Sequence, residues 1–407
     1  MDFKDSPEEA AFRAEARAFL AANARPKGDG APLAVRSDPA TLEAAKAWQR
    51  KKAEAGFACI TWPKELGGRG GTPIQQVIYA QEEEQFETPP NVFAIGLGMC
   101  VPTVMAFADT ATKQRFVAPA VRGDEIWCQL FSEPAAGSDV AGLRTRAVRD
   151  GDDWVVNGQK VWTSGAHFSD FGILLTRTNP DVPKHKGLTM FWVDMKAPGV
   201  EARPIHQMSG DREFNEVYFT DVRIPDSQRL GEVGAGWQVA LVTLMNERLA
   251  VGTGYGPTPE ELMALARALD LGGRPAMADQ AFREKLADWY VAAQGLKFTK
   301  FRTLTALSRG QTPGPEASIG KIVSANQMQE MSAMALDLAD QYGILNDPAE
   351  APFGGLFHRN FMFAPGLRIA GGTDEILRNI IAERVLGLPG DVRVDKDIAF
   401  KDLPTGR

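Results

Sequence analysis

The chain has 407 residues, of which 44% are apolar and 24% charged, and its formal net charge is −7. This length is typical of two or three domains, and the apolar fraction suffices for buried cores, so disorder is excluded as the main state. An acidic chain without a long basic run is a poor ligand for nucleic acids and anionic membranes, because phosphate binding needs clustered Lys and Arg. The sequence contains no stretch of about 18 apolar residues, so we expect no membrane span.

Cysteine and histidine are scarce and dispersed. The chain has 3 Cys and 4 His, with no Cys-x-x-Cys pair. We therefore expect neither a disulfide framework nor a metal site. The first residues are polar and acidic, unlike the apolar core of a secretory signal or the Arg- and Ser-rich pattern of a transit peptide. These features predict a cytoplasmic protein.

The N-terminal part of the chain is expected to be helical. The run SPEE at 6–9 is a capping box with proline at the first helical position, and it predicts the start of a helix. Glycine and proline in the run at 62–71 predict a loop, and helical spacing of apolar residues continues over 75–121. We predict an N-terminal helical domain over residues 1–125.

The period of the apolar residues changes near residue 127. Polar and apolar residues alternate over 145–162, with turns predicted at Asp150-Gly151-Asp152 and at Asn157-Gly158. Asn157-Gly158 predicts a tight hairpin turn because both residue types tolerate a positive φ. Further strand patterns cover 171–178, 188–194, 200–204 and 216–224. We predict a middle antiparallel β domain over residues 126–235.

Helical patterns return in the last part of the chain. They cover 237–251, 279–307 and 318–341, and another begins near Thr373. We predict a C-terminal helical domain over residues 236–407. The fold class is therefore α+β multidomain, with a β domain between two helical domains.

Four motifs occur in a fixed order: WPKE at 62–65, FSEPAAGSD at 131–139, NGQKVWTSG at 157–165 and GTDEILR at 372–378. By itself, the second motif is typical of an ordinary connector, and its glycine spacing matches neither a Walker loop nor a Rossmann fingerprint. Together, the four motifs resemble the acyl-CoA dehydrogenase family over nearly the whole chain. The resemblance implies that family's fold, with a four-helix C-terminal bundle. It also implies noncovalent FAD and α,β-desaturation of an acyl-CoA thioester.

The resemblance also implies which residues bind the cofactor. Gln129, Phe131 and Ser132 stand where the family contacts the flavin ring. Gly137 and Ser138 stand on the loop that binds the FAD phosphate and the substrate. Small side chains suit this role, because they let backbone amides approach a ligand closely.

Two further groups match flavin contacts of the family. In the family's motif that Trp162, Thr163 and Ser164 match, the Trp packs beside the isoalloxazine ring, and a hydroxyl group forms a hydrogen bond with the reactive ring nitrogen. Thr373 and Glu375 match the C-terminal contacts. Without the flanking motif, Trp162 would be interpreted as a core aromatic of a hairpin.

The catalytic base departs from the commonest pattern of the family. Many members carry a Glu directly before the Gly-Thr of the last motif, where this chain has Gly371. The isovaleryl and long-chain branches, which also have a small residue there, carry the Glu on the first helix of the C-terminal domain, where this chain has Glu247. A carboxylate in an apolar helix is costly unless it is partnered or functional. The resemblance implies that Glu247 is the base, and the alternative is a structural ion pair with Arg248.

The substrate site is expected to include Ser138, Arg248, Gly371 and Gly372. The amide of Gly371 is placed by the motif to donate to the thioester oxygen, where negative charge develops. Ala370 stands where the family often has an aromatic residue. This loss of bulk indicates a wide or branched acyl pocket, such as one for a long-chain or steroid side-chain substrate.

The oligomeric state is left open by two departures from the family. The Arg-Lys-Thr-Phe-Gly segment that reaches the FAD of a neighbouring subunit has no counterpart at 269–275. The Leu-Gly-Gly-x-Gly segment is replaced at 339–343 by ADQYG. Either this chain holds the adenine end of FAD differently in a homotetramer, or a related subunit supplies the contacts in a heterotetramer. The resemblance further implies reoxidation by an electron-transfer flavoprotein.

Other functional classes fit the sequence less well. A flavin oxidase such as nitroalkane oxidase needs an acid at position 371. A DNA-protective relative needs a basic surface, which the charge of −7 disfavours. An FAD-binding or inactive partner subunit of a heteromeric acyl-CoA dehydrogenase is the strongest alternative, and the flavin motifs together with Glu247 argue against it.

Overall fold

The structure, a computed structural model, describes residues 5–27, 38–250, 256–269, 275–308, 314, 317–345, 347–390, 392–393 and 395–404. For residues 247–250, 304, 307, 308 and 317 it describes the backbone alone. The chain divides into two compact units, and each is treated by itself below. The first comprises Met1–Arg25, Ala34–Ala250 and Asp391–Arg407, and the second comprises Pro26–Leu33 and Val251–Gly390.

The N-terminal part of the first unit is helical, as predicted. Its helices are α1 (Pro7–Asn23), α2 (Pro39–Glu54), α3 (Pro73–Glu83), α4 (Val101–Phe107) and α5 (Thr110–Arg122). Two short strands also occur in this part of the chain, β1 (Arg25–Pro26), of which only Arg25 belongs to the first unit, and β2 (Phe86–Glu87). The predicted capping box starts α1: the Ser6 hydroxyl accepts from the Glu9 amide, and the Glu9 carboxylate accepts from the Ser6 amide. Phe12, Leu20 and Trp48 are buried in the core between these helices.

A twisted β-sheet forms the middle of the first unit. Its strands are β3 (Trp127–Leu130), β4 (Arg146–Asp150), β5 (Asp153–Ser164), β6 (Phe171–Arg177), β7 (Leu188–Asp194), β8 (Val200–Pro204), β9 (Phe214–Pro225) and β10 (Arg229–Leu230). The order is β10-β7-β6-β4-β5-β9-β8, and β3 also pairs with β6. The sheet is mainly antiparallel, as predicted, but β3 pairs with β6 in parallel, and β4 does so at the single pair of Arg146 with Arg177.

The predicted hairpin turn at Asn157-Gly158 is wrong. The turn predicted at Asp150-Gly151-Asp152 is confirmed, because Asp150 and Asp153 pair across β4 and β5. Asn157-Gly158, by contrast, lies inside β5 at an irregularity of the pairing with β9. Glycine is needed there because a Cβ on Gly158 would lie 2.4 Å from the Thr145 hydroxyl. Close approach of a neighbouring strand therefore explains a glycine that the sequence pattern assigned to a turn.

Helix α6 (Gly236–Ala250) belongs to the first compact unit. Its buried positions Val239, Ala240 and Thr243 follow helical spacing, and the Thr243 hydroxyl lies 2.8 Å from that of Thr103 on α4. The sequence assigned this segment to the C-terminal domain. The boundaries after residues 125 and 235 stay predictions, because compact units and evolutionary domains need not coincide.

The second unit is helical. It contains α7 (Pro259–Ala268), α8 (Gln280–Ser308), α9 (Ala317–Ala339), α10 (Leu356–Ile369) and α11 (Asp374–Arg384). Leu262, Trp289, Met331 and Phe357 contribute to its main core, so α9 packs among the other helices. Across the described ranges, no helix combines the length and the apolar character needed to cross a membrane.

Candidate functional site

A bulge in β5 shapes the first part of the candidate site. Lys160 pairs with Val217 and Thr163 with Asn215, so Val161 and Trp162 together face Glu216. Trp162 has φ of 60° and a side chain that is 57% exposed. A left-handed backbone costs a bulky residue about 1–2 kcal/mol, and exposure forgoes much of the gain from burying an indole ring. Such strain is typical of functional positions.

The Thr163 hydroxyl lies directly after this strained residue. Thr163 is 2% exposed, and its Oγ1 has no hydrogen-bond partner among the described residues. Its backbone carbonyl, by contrast, accepts from Asn215 Nδ2 at 2.9 Å. A buried hydroxyl without a partner costs about 1–3 kcal/mol, so this atom is suited to a ligand that supplies the missing hydrogen bond. Ser164 follows at the end of β5, paired with Phe214.

The small-residue loop, residues 131–139, is tied to the same bulge. The Ser132 carbonyl accepts from the Val161 amide at 2.9 Å, and Glu133 and Ala136 exchange both backbone hydrogen bonds. Gly137 and Ser138 are exposed, and a Cβ on Gly137 would meet no atom within 4 Å. The base of the loop is thus fixed, while its tip is open to a ligand. Gln129 is partly buried in β3, opposite Ile173 of β6.

A buried ion pair that the sequence analysis missed holds the base of the loop. Lys160 is 0% exposed, and its Nζ donates to the Phe131 carbonyl at 3.1 Å and to Glu133 Oε1 at 2.8 Å. The Glu133 carboxylate also accepts from the amides of Arg144 and Thr145, at 2.6 and 2.9 Å. Both charged residues stand inside motifs that the sequence analysis quoted, which is the signal that could have identified them.

The charges of this pair follow from its surroundings. Burial lowers the pKa of Lys160 to about 8, although Glu133 favours the charged form. Burial favours the neutral form of Glu133, but Lys160 and the hydrogen bonds from Thr145 and Arg144 outweigh burial and hold its pKa below the usual value. At neutral pH both groups are charged, and each compensates the other.

The second unit carries the other predicted group, at the start of α11. Gly371 and Gly372 have φ of 62° and 88°, a conformation that side chains other than glycine's rarely adopt. The Thr373 hydroxyl accepts from the Ile376 amide at 3.2 Å and caps α11. Glu375 is exposed in the first turn, where its own amide and Thr373 lower its pKa.

A second buried network fixes this glycine turn. Lys321 Nζ donates to the carbonyls of Arg368 and Gly372, at 2.9 and 2.8 Å. Asp374, which is 2% exposed, accepts from Arg368 Nε at 2.8 Å. No local sequence pattern indicates Lys321 and Asp374 as partners, because their ion pair joins α9 to α11. The buried charges of Lys321 and Asp374 therefore fix the turn before α11.

The predicted base lies on a described backbone but outside the described side chains. Glu247 and Arg248 are in the last part of α6, and their side-chain contacts lie outside the described residues. Position 247 follows the buried Thr243 by four residues and Ala240 by seven, so it continues the same helix face. The predicted site residues thus form one group on β5 and the small-residue loop, one on α6 and one at the start of α11.

A metal site finds no support in the described part of the chain, where no three His, Cys, Asp or Glu side chains are grouped to hold an ion.

Comparison with protein families matches three models to the chain. "Acyl-CoA dehydrogenase, N-terminal domain" matches residues 6–124, "Acyl-CoA dehydrogenase, middle domain" residues 128–222, and "Acyl-CoA dehydrogenase, C-terminal domain" residues 234–386. Together these matches extend over nearly the whole chain.

Individual proteins are also similar to the chain. Acyl-CoA dehydrogenase IpdE1 of Mycobacterium tuberculosis is 37% identical, over 94% of this chain and 98% of IpdE1. Acyl-CoA dehydrogenase FadE34 of the same organism is 38% identical over 83% of this chain, which spans only 45% of the length of FadE34. A solved structure described as "Tcur3481-Tcur3483 steroid ACAD" is 25% identical with a TM-score of 0.78, and the match covers 96% of this chain and 100% of that one.

Proposed function

The chain belongs to the acyl-CoA dehydrogenase family of FAD-dependent enzymes, and we propose that it desaturates an acyl-CoA thioester between its α and β carbons. The observation that carries the proposal is the β5 bulge, which exposes Trp162 in a strained conformation and leaves the buried Thr163 hydroxyl without a partner among the described residues. A structural hairpin has no need of either feature.

The described residues fit FAD. Thr163 Oγ1 supplies an unused hydrogen-bonding group, Trp162 an exposed aromatic face, and Gly137 an open approach to the backbone. The flavin would be held by Gln129, Phe131, Ser132, Trp162, Thr163 and Ser164, its phosphates by Gly137 and Ser138, and the remaining contacts would come from Thr373 and Glu375. Bound FAD supplies a two-electron acceptor for hydride from the β carbon.

The base of the proposed reaction is Glu247. Its backbone position continues the helix face that carries Ala240 and Thr243, and the sequence of α6 around it is otherwise largely apolar. Apolar surroundings favour the protonated form of a carboxyl group, which suits a general base. Glu247 takes the α-proton of the thioester, and Arg248 contributes to the substrate site. The proton transfer is the step for which this chain must supply a chemical group of its own.

The thioester oxygen is held by the turn before α11. The Gly371 amide donates to this oxygen and stabilises the charge that develops as the α-proton leaves, and Gly372 lines the same turn. Gly371 also has a φ of 62°, a backbone conformation that glycine adopts without steric cost because it has no Cβ. The Lys321–Asp374–Arg368 network supports the proposal, because a preorganised donor must not shift during the reaction.

A bulky acyl group and a second type of subunit are proposed for this chain. The solved steroid ACAD that it resembles pairs Tcur3481 with Tcur3483, and Ala370 leaves space where the family often has an aromatic residue. We therefore propose a steroid side-chain or branched thioester as the first substrate to test and a heterotetramer as the first assembly. An electron-transfer flavoprotein is the first electron acceptor to test. A cytoplasmic location stays a prediction.

Turnover of a panel of CoA thioesters with an artificial electron acceptor tests the proposal. The panel should span straight-chain, branched and steroid side-chain substrates, with the chain produced alone and together with a candidate partner subunit. We expect unsaturated product from a bulky member of the panel. FAD binding without turnover of any thioester, in both preparations, would indicate the partner-subunit function instead.

The Thr163→Val variant tests the cofactor contact. Valine has the shape of threonine without the hydroxyl, so we expect FAD to bind about 3- to 10-fold more weakly, the equivalent of one hydrogen bond. The FAD-free variant should be at least as stable as the wild type, because a buried atom without a partner is removed. Titration of the FAD-free protein and thermal unfolding measure the two effects. Thr163→Ser is the control and should bind normally; wild-type affinity in Thr163→Val would exclude the contact.

A further inference from the structure

The C-terminal strap, residues 395–404, lies on the connection between β6 and β7. Ala399 forms a β-bridge with Pro183, and the amides of Phe400 and Lys401 donate to the carbonyls of Val182 and Pro180, at 2.9 and 3.0 Å. These backbone bonds fix the direction and the register of the strap within the first unit. Two side-chain bridges then connect the strap to the small-residue loop and the turn that follows it.

The first bridge passes through Lys184. Its Nζ lies 2.8 Å from Asp139 Oδ2, at the end of the small-residue loop, and 2.5 Å from Asp395 Oδ2, on the strap. The Lys184 side chain is 10% exposed, so its charge has little access to water and depends on these two carboxylates. The loop and the strap therefore share one cation.

The second bridge passes through Arg177, at the end of β6. Its Nη2 donates to the carbonyls of Ala141 and Leu143, at 2.5 and 3.3 Å. Ala141 lies in the short 3₁₀ turn (Val140–Gly142) that follows the loop, and Leu143 is the next residue. The Arg177 Cζ lies 3.7 Å from the centre of the Phe400 ring. Arg177 is 4% exposed, so the ring both covers the guanidinium and stabilises its charge.

We infer that the strap positions the small-residue loop, with Phe400 acting through Arg177 and Asp395 through Lys184. The inference rests on the proposed function, because it concerns the loop that would bind the FAD phosphate and the substrate. The tip of the loop has few contacts of its own, since Gly137 and Ser138 are exposed. Lys184 contacts the last residue of the loop, Arg177 contacts the 3₁₀ turn that follows it, and the strap contacts both. Asp395 and Phe400 are positioning residues in this scheme.

Point variants of Phe400 test whether its aromatic ring, and not only the presence of the strap, positions the loop. Phe400→Leu keeps an apolar side chain and removes the aromatic face, whereas Phe400→Tyr keeps the face and should behave as the wild type. Lys401→Ala is the matched control, because the Lys401 ion pair with Asp181 is exposed and lies on neither bridge. A chain ending at Gly390, supplemented with a synthetic peptide of residues 391–407, tests the strap as a whole.

Hydrogen exchange of the FAD-free chain gives the first readout. The amides of Gly142 and Leu143 donate to the carbonyls of Asp139 and Val140, and their exchange reports opening of the turn. We expect about tenfold faster exchange in Phe400→Leu, the size of effect that loss of a desolvated cation–π contact produces. The shortened chain should show the same change, reversed by the peptide. Unchanged exchange in both would overturn the inference.

FAD titration and steady-state kinetics give the second readout. We expect Phe400→Leu to weaken FAD binding or to raise KM about tenfold with little change in kcat, because a displaced loop loses binding contacts and leaves the reacting groups in place. Faster exchange with wild-type FAD affinity and KM would overturn the link between the strap and the binding loop. A wild-type chain that binds no FAD would instead overturn the proposed function, and the exchange measurement would still decide whether the strap orders the loop.

Discussion

Replacing Glu247 with glutamine is expected to slow reduction of the flavin by the acyl-CoA substrate by about 10²–10⁴-fold, the usual contribution of a general base. Glutamine preserves the size and hydrogen-bonding reach of the side chain but cannot take up the α-proton. The rate is measured by rapid mixing of the FAD-loaded enzyme with substrate in the absence of oxygen. Binding of substrate and FAD should be nearly unchanged, since the lost interaction is made in the transition state.

The matched control for this variant is Glu260→Gln, in the first turn of α7, where Glu260 is exposed. It loses a carboxylate of the same type and should react at the wild-type rate. Adding Gly371→Glu to the Glu247→Gln variant should restore part of the activity, because many members of the family carry the base at that position. A wild-type rate in Glu247→Gln would eliminate Glu247 as the base.

Replacing Lys160 with methionine is expected to destabilise the first unit by about 3–5 kcal/mol, because it leaves the Glu133 carboxylate buried without its cation. Methionine fills much of the volume of the lysine side chain, so the effect of charge is separated from that of a cavity. Urea unfolding of the FAD-free chain, monitored by tryptophan fluorescence, measures the loss. The free energy of unfolding should fall, while the slope with urea stays constant.

A double variant distinguishes loss of the ion pair from disruption of the core. Glu133→Gln in the Lys160→Met background removes the unpaired charge. Its one carbonyl oxygen can accept from only one of the Arg144 and Thr145 amides, which donate to different oxygens of the Glu133 carboxylate, so part of the lost stability should return. Lys196→Met is the control, because Lys196 is 75% exposed in its ion pair with Asp170 and should lose less than about 1 kcal/mol. Equal losses in Lys160→Met and Lys196→Met would contradict this account of the pair.

Local patterns in the sequence predicted the elements whose signals are themselves local. The helix α1 starts at the capping box of Ser6 and Glu9, since both halves of that signal lie within one turn. The glycine of Asn157-Gly158 was wrongly assigned to a turn. A side chain at this position is excluded by Thr145, which directly precedes the neighbouring strand β4. Glycine occurs both in tight turns and where neighbouring strands approach closely, and a single sequence does not distinguish the two cases.

The site was predicted from the resemblance far more than from chemistry. Trp162 and Thr163 were identified as members of a motif, and their strained backbone and unpartnered hydroxyl depend on a bulge that no alternation pattern reveals. Lys160 and Lys321 were missed because a lysine in a sequence is interpreted as a surface residue. Each becomes essential only when folding brings a carboxylate to it from another segment.

The most direct test of the proposed reaction is a single turnover of the FAD-loaded enzyme, together with its partner subunit if one is needed, with the best thioester of the panel and no external acceptor. We predict loss of the visible absorbance of oxidised flavin and one equivalent of α,β-unsaturated thioester per flavin. Flavin that stays oxidised with every thioester, yet is reduced by dithionite, would contradict the account.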